Sequence, residues 1–383
     1  MTTLPAASAD ALAISQRLVH AIQAEIRQRG GWMPFSHYME LALYAPGLGY
    51  YAAGSRKLGA AGDFTTAPEM SALFGRALAR QLAELLPQTA NILYEFGAGT
   101  GKLAIDILSE LQALNALPER YCIVDLSPDL IERQQHNIRQ ALPHLAERVQ
   151  WLDQLPEQLD GVIIGNEVLD AMPCELIHWT PEPQQRGVAL DGERFVWADR
   201  AIEDPQLLQL AQAIEPRHND YLSEISPANI GFIHTLAQKL ARGAVLLLDY
   251  GFPAAEYYHP QRHMGTLIGH YRHHTVDDPF FLPGLMDLTC HVDFSAAAQA
   301  GIDAGLDLIG YTTQAQFLIN AGITQLLEQL DPADAAAYLP HAAAIQKLLS
   351  PSEMGELFKA IGFGKGVSID WSGFLRGDRC YTL

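Results

Sequence analysis

The stretch Tyr94-Glu95-Phe96-Gly97-Ala98-Gly99-Thr100-Gly101-Lys102 decides how this chain folds. Ile92, Leu93, Tyr94 and Phe96 make a short β-prone run, and residues 103–111 carry apolar side chains at helical spacing. Between them, three glycines in five residues let the backbone turn tightly and approach a ligand without Cβ interference. A strand, a glycine turn and a helix are predicted, which together make a nucleotide-binding βα unit. Two better-known glycine loops nearly fit. A P-loop requires a glycine five positions before its Gly-Lys pair and a Ser or Thr after it, where this chain has Phe96 and Leu103. A dinucleotide fingerprint begun at Gly97 requires its third glycine at the position of Lys102.

What remains is an acid two residues before three alternating glycines. This resembles motif I of the class I S-adenosylmethionine (SAM) methyltransferases, and it implies that Glu95, Gly97, Ala98, Gly99, Thr100 and Gly101 hold SAM as cofactor. The carboxylate of Glu95 suits a ligand with a cationic amino-acid end, whereas it would repel a pyrophosphate.

Composition bounds the function. At 383 residues the chain exceeds one ordinary domain, so one large α/β domain with sizeable insertions, or two packed lobes, is expected. With 49% hydrophobic and 18% charged residues it reads as soluble and globular, and no apolar run approaches the roughly 18 residues of a bilayer span. No membrane insertion is expected. The net charge of -19 opposes phosphate binding, so nucleic acid is excluded as a partner. Cys122, Cys174, Cys290 and Cys380 are widely spaced without any C-x-x-C pair, which indicates neither a disulfide framework nor a thiolate zinc site. The first Arg, Arg17, follows the acid Asp10, a pattern of neither signal nor transit peptide, so the expected location is cytoplasmic.

Taken in order, residues 11–28 and 34–43 read as helices, and Tyr44-Ala45-Pro46-Gly47-Leu48-Gly49-Tyr50-Tyr51 reads as a turn interleaved with aromatics. Gly62-Asp63-Phe64-Thr65-Thr66-Ala67-Pro68-Glu69 follows as a loop, with Pro68 and Glu69 opening a helix over 70–86. Here the likeness becomes specific. These segments, with Phe74-Gly75, motif I, Asn166-Glu167-Val168-Leu169-Asp170-Ala171-Met172-Pro173, Asp249-Tyr250-Gly251 and Asp287-Leu288-Thr289-Cys290-His291-Val292-Asp293-Phe294, resemble the MidA family. That family of SAM-dependent methyltransferases includes the mitochondrial enzyme that methylates an arginine of a respiratory complex I subunit during its assembly. The resemblance covers the chain from about residue 30 onward. It implies a protein substrate, with a complex I subunit as the specific candidate, and it leaves a homodimer open. Asp63 and Glu69 are counted with the cofactor-binding set. Where the family commonly has Ser-Pro-Glu, this chain has Ala67-Pro68-Glu69.

Residue by residue, 121–126 is a second strand ending in Asp125, placed to accept hydrogen bonds from ribose hydroxyls, with Leu126 beside it. Residues 149–153 are a third strand whose Asp153 is placed to meet the adenine amino group. A fourth strand, 161–167, ends in Asn166, counted with the cofactor, and Glu167. The sequence Asn-Glu-Val-Leu lacks the prolines and aromatic of nucleobase methyltransferases. Carboxylates that hold a guanidinium in line with a sulfonium methyl are expected from Glu167 and Asp170. Asp287, His291 and Asp293 offer further acids and a proton acceptor.

Alternation over 175–197 predicts a β-ribbon. Helices follow over 205–214 and 228–242, the latter ending at Gly243, and then a buried strand over 244–251. Residues 252–295 hold His259, His263, His270, His273, His274 and His291. Their irregular spacing and the lack of an H-E-x-x-H helix argue against a metal, so a lid, a substrate wall or a packed loop is expected. A sixth strand over 307–312, helices over 314–321, 324–330 and 335–349, and a last strand after 358–364 complete the chain.

The expected fold is α/β, a Rossmann-like class I methyltransferase with a mostly parallel sheet, helices on both faces, an N-terminal helical extension and inserted accessory elements. Its expected divisions are 1–86 (helices and substrate loop), 87–173 (first half of the SAM-binding core), 174–235 (accessory β/α insertion), 236–251 (core strand), 252–300 (His-rich insertion) and 301–383 (second half of the core). The expected activity is N-methylation of a protein arginine. A non-catalytic assembly chaperone and a small-molecule methyltransferase are the alternatives.

Overall fold

The computed structural model describes residues 4–52, 66–214 and 220–383. Asp63 and most of its loop lie outside them. The chain divides into two compact units. One comprises Thr65–Val168, Phe232–Pro253 and Val292–Leu383; the other comprises Met1–Phe64, Leu169–Gly231 and Ala254–His291.

The first unit is built on an eight-stranded sheet. In chain order its strands are β1 (Ile92–Phe96), β2 (Arg120–Val124), β3 (Val149–Trp151), β4 (Leu159–Asn166), β5 (Leu240–Phe252), β6 (Val292–Asp293), β7 (Asp307–Thr313) and β8 (Phe358–Lys365). The spatial order is β7-β8-β5-β4-β1-β2-β3, with β6 against β5. Strands β3, β2, β1, β4 and β5 run parallel, whereas β8 lies antiparallel between β5 and β7. Strand order therefore reverses between β1 and β4, the switch point beyond whose carboxyl ends open α/β sheets bind ligands. The parallel strands are buried on both faces, and so Val162-Ile163-Ile164 and Val245-Leu246-Leu247-Leu248 read as unbroken apolar runs.

Helices α1 (Ala72–Leu85), α2 (Lys102–Ala113) and α3 (Pro128–Ala141) belong to this unit. Leu103, Ala104, Ile107, Leu108 and Leu111 recur on one face of α2 and join Leu78, Leu82, Leu93, Ile123 and Ile164 in one core. Each wholly buried Leu or Ile contributes about 1.5–3 kcal/mol. A charged pair ties α1 to α2, because the Arg76 guanidinium donates to the buried Glu110 carboxylate at 2.6 Å.

The second unit carries two antiparallel sheets. Trp32–Pro34, Pro183–Asp191, Glu175–Trp179 and Tyr221–Ile225 are neighbours in that order, and Arg194–Ala201 pairs with Pro183–Asp191. The smaller sheet joins His274–Val276, Ile268–Tyr271 and Asp287–Thr289. Helices Ala9–Gln28 and Phe35–Tyr44 contribute Leu18, Ile22, Ile26, Tyr38 and Leu43 to a core that also holds Met286 and Leu288.

The structure departs from expectation in several elements. The helix over 70–86 is interrupted: Ala67–Met70 is one short turn, and Ser71 is extended (φ -158°, ψ 135°) with its hydroxyl accepting from the Leu73 amide. A side-chain cap has competed with helix propagation. Gly243 does not stop a helix. The helix Pro227–Lys239 gives way to β5 before it, and Gly243 (φ +146°) sits where a Cβ would lie 1.8 Å from the Gly161 carbonyl oxygen. Only glycine allows β5 so close to β4 there. Trp32–Pro34 forms a strand that three residues could not announce, and 358–364 lies within β8 itself rather than leading to a later strand.

Candidate functional site

The glycine turn leaves β1 at the switch point. Gly97, Gly99 and Gly101 all have positive φ (64°, 55° and 82°), so the turn needs residues free of a Cβ penalty at three places. It is pinned from outside: the Gly97 amide donates to the Val124 carbonyl at 3.0 Å, and the Asn137 amide on α3 donates to the Thr100 carbonyl at 2.9 Å. The Thr100 hydroxyl donates to the Glu69 carboxylate, which places both residues at this turn. Glu95 is 1% exposed and accepts a hydrogen bond from the Tyr121 hydroxyl at 2.8 Å. Burial pushes its carboxyl up to about 8, the Tyr121 hydrogen bond works against that shift, and the nearby Asp125 charge adds to it.

Asp125 follows β2. One of its oxygens accepts from the Ser127 amide at 3.0 Å, the other from the Gln134 side-chain amide at 2.7 Å. Burial raises its carboxyl above the usual range, and these bonds oppose the rise. Leu126, next in the chain, is 84% exposed, a large apolar side chain presented beside a carboxylate. Asp153 is exposed in the turn after β3.

Asn166, Glu167 and Val168 form the corner after β4. Glu167 is held at φ +54°, uncommon for a residue with a side chain. Three bonds maintain that corner: Glu167 N to the Leu248 carbonyl (2.8 Å), Val168 N to the buried Asp249 carboxylate (3.1 Å), and the Asn166 amide to the Glu167 carboxylate (3.1 Å). The Asn166 side-chain oxygen is buried and has no hydrogen-bond partner among the described residues. An orphaned acceptor at the mouth of the switch point is suited to a cationic donor.

The other candidates are distributed. Asp293 belongs with the first unit, where one carboxylate oxygen caps the helix Phe294–Asp303 by accepting from Ser295 N and Ala296 N (3.0 and 3.1 Å). Asp170, Asp287 and His291 belong to the second unit. There the Tyr51 hydroxyl lies 3.0 Å from both oxygens of Asp287, which is 1% exposed. Tyr51 stacks on Tyr44 (centroids 5.5 Å, 22°), and the Tyr44 hydroxyl donates to the Ala171 carbonyl at 2.9 Å. Burial first, then the charges of Asp287 and Asp170, hold the Tyr51 phenol far above its ordinary pKa, so it stays a neutral donor. The Asp170 carbonyl accepts from Cys290 N, which sets the 170 turn against the Asp287 segment. The His291 backbone N donates to the Thr266 hydroxyl, which in turn donates to the buried Glu224 carboxylate (3.0 and 3.1 Å).

Sequence reasoning missed Tyr51 as a carboxylate partner and missed Gln134 and Asn137 altogether, whereas Asp249 was read as part of the Asp249-Tyr250-Gly251 motif but not as the acceptor that holds the Val168 amide. Only Asp249 carried a signal, as an acid ending a buried strand.

These features fit SAM: a Cβ-free cradle, a strand-end carboxylate with an exposed apolar neighbour, and an orphaned oxygen suited to an ammonium group. Comparison with known proteins agrees. Residues 74–312 match the family described as "Putative S-adenosyl-L-methionine-dependent methyltransferase". The crystal structure of a superfamily member from Burkholderia thailandensis bound to S-adenosyl-homocysteine is 49% identical over 100% of both chains, with a TM-score of 0.96. The protein arginine methyltransferase NDUFAF7, mitochondrial, of Danio rerio is 30% identical over 368 residues, 86% of this chain and 82% of that one. Its Homo sapiens counterpart is 28% identical over 371 residues, 86% and 79% of the respective chains. The cofactor of this chain is SAM.

Proposed function

This chain belongs to that family of SAM-dependent methyltransferases, and from this premise we propose that its acceptor is an arginine side chain of a protein, with a respiratory complex I subunit as the specific candidate. The observation that carries the acceptor reading is the pair of buried carboxylates, Asp170 and Asp287, both close enough to Tyr51 to act on its phenol. Carboxylates with fixed oxygens are the complement of a planar guanidinium, whose N–H groups they accept in parallel.

When bound, the cofactor supplies a methyl group on a sulfonium whose leaving group is a neutral thioether. The chain's own contribution is positional. Glu95 and the glycine turn receive the methionine portion, Asp125 and Leu126 the nucleoside, with Asp153 on the adenine side. For the acceptor, Glu167 is the candidate of the first unit and Asp170 and Asp287 are those of the second, with Asp293 and His291 as the respective further candidates. The methylated nitrogen gives up one proton, and Asp170 or Asp287 takes it. No nucleophilic protein side chain is required, because orientation supplies much of such a rate.

Incubation of the purified protein with methyl-labelled SAM and complex I subunits, taken from a host that has complex I and lacks this gene, tests the reading. Label on an arginine of a subunit is expected. Label only in small metabolites of a cell extract would make it a small-molecule methyltransferase, and no transfer at all would favour the assembly-chaperone alternative.

A further inference from the structure

Gln134 belongs to no motif, yet it is fully buried and uses its amide at three places. Its nitrogen donates to the Gly99 carbonyl at 3.0 Å and to the Asp125 carboxylate at 2.7 Å, and its oxygen accepts from the Trp151 indole at 2.8 Å. The orientation is unambiguous on chemical grounds. An indole N–H can only donate, so the atom facing Trp151 is the amide oxygen. The nitrogen is then left facing two groups that accept, and each of its two hydrogens has a partner. Helix α3 is pressed onto the glycine turn at this point, since a Cβ on Gly101 would lie 3.3 Å from the Gln134 Cα.

We propose that Gln134 is a positioning residue for the nucleoside end of SAM. Together with the Ser127 amide on the other oxygen, it fixes the plane of the Asp125 carboxylate, so that the remaining lone pairs are presented to the ribose hydroxyls. By bonding Gly99 with the same nitrogen, it ties the ribose acid to the glycine turn, and Trp151 prevents the amide from turning over. The inference rests on SAM as cofactor and is independent of the acceptor.

The test is titration calorimetry with S-adenosyl-homocysteine, accompanied by thermal unfolding of the unliganded proteins, on wild type, Gln134→Leu, Gln134→Glu and Trp151→Phe. Gln134→Leu removes a donor from a charged acceptor and is expected to bind about tenfold or more weakly. Trp151→Phe leaves the amide free to turn and is expected to lose affinity by about threefold. Gln134→Glu is the decisive variant. At about pH 8 two carboxylates face each other and binding is weak; toward about pH 6 they share one proton, a donor to Asp125 is restored and affinity recovers severalfold. Wild type has no such recovery, because protonating Asp125 can only weaken it. Folded variants that bind within about twofold of wild type at both pH values would overturn the proposal. So would lowered unfolding temperatures with no pH-dependent recovery in Gln134→Glu, the signature of a purely structural role. Should Gln134→Leu not fold, the other two variants decide. A wild type that bound no ligand would remove the cofactor premise along with the proposal.

Discussion

At the residue scale, Glu95 poses the sharpest question, because an acid proposed to meet a cation is buried and, without ligand, pushed up to about 8. The sign follows from linkage. Its carboxyl is protonated in the folded protein and already ionised in the unfolded chain between its ordinary 4.5 and about 8. The stability it contributes is therefore whole below 4.5 and is lost as pH rises through about 8. Glu95→Gln, which cannot ionise, should flatten that decline in urea-unfolding midpoints measured across the window. Cofactor binding gives a second readout. An ammonium group brought to Glu95 favours the carboxylate, so binding near pH 7 should release a fraction of a proton, seen as a calorimetric enthalpy that varies with buffer ionisation enthalpy. Glu95→Gln should abolish the release, and a wild type with no buffer dependence would show that Glu95 does not meet the cation. Tyr51 and Asp287 make the complementary prediction for the acceptor. Asp287→Asn should lower kcat by about tenfold or more while leaving the SAM dissociation constant within about twofold, because the proposed function assigns the two residues to the acceptor's side of the reaction. Equal losses in both constants would reassign Asp287 to the cofactor.

Among the elements, the glycine turn shows how much was legible and why. Its three positive-φ residues are a backbone demand that only a narrow set of residues meets, so the sequence could express it openly. Gly99→Val, forced to φ +55°, should lose SAM binding while α2 and the sheet keep their far-UV signature. The buried parallel strands were equally legible, since burial on both faces removes any polar interruption. That Asp125 follows a strand was legible because a strand end is a position that spacing alone defines, while its part in holding the ribose stays a proposal. Gln134 could not, because what selects it is a three-way contact among α3, the glycine turn and β3, which no local pattern encodes. The break at Ser71 was hidden for a related reason: Ala67 to Leu85 is uniformly compatible with a helix, and the decision rests on one hydroxyl that caps Leu73 and bonds His341 at 2.9 Å. Ser71→Ala should destabilise the protein by about 1–2 kcal/mol in urea unfolding, and a cost below about 0.3 kcal/mol would show that the cap is not what starts α1. Gly243 carries the same lesson in reverse. A glycine after an apolar helix suggests a stop, whereas here it is required by the close approach of β5 to Gly161.

For the whole molecule, the net charge of -19 bears on the acceptor more than on the fold. A protein this acidic attracts cationic partners over roughly a Debye length, about 8 Å at physiological ionic strength, and added salt shortens that reach. If the acceptor is an arginine within a basic segment, encounter is steered by this field, and the contribution lies in association rather than in the chemical step. Raising salt from about 0.05 M to about 0.5 M should then raise KM for the protein acceptor severalfold while kcat changes by less than about twofold. Cofactor affinity should move less, because the proposed cofactor acids are shielded from salt, Glu95 being buried and Asp125 half-buried. The three quantities can be read from one set of initial-rate and calorimetric measurements on the same protein. A protein-acceptor KM that is flat or falls with salt would mean that the acidic surface plays no part in choosing the acceptor. The guanidinium reading would then stand only on Asp170 and Asp287, and Asp287→Asn would become its deciding test. A salt-sensitive kcat with constant KM would point elsewhere again, to a charge pair formed during turnover, and would separate steering from catalysis within a single experiment.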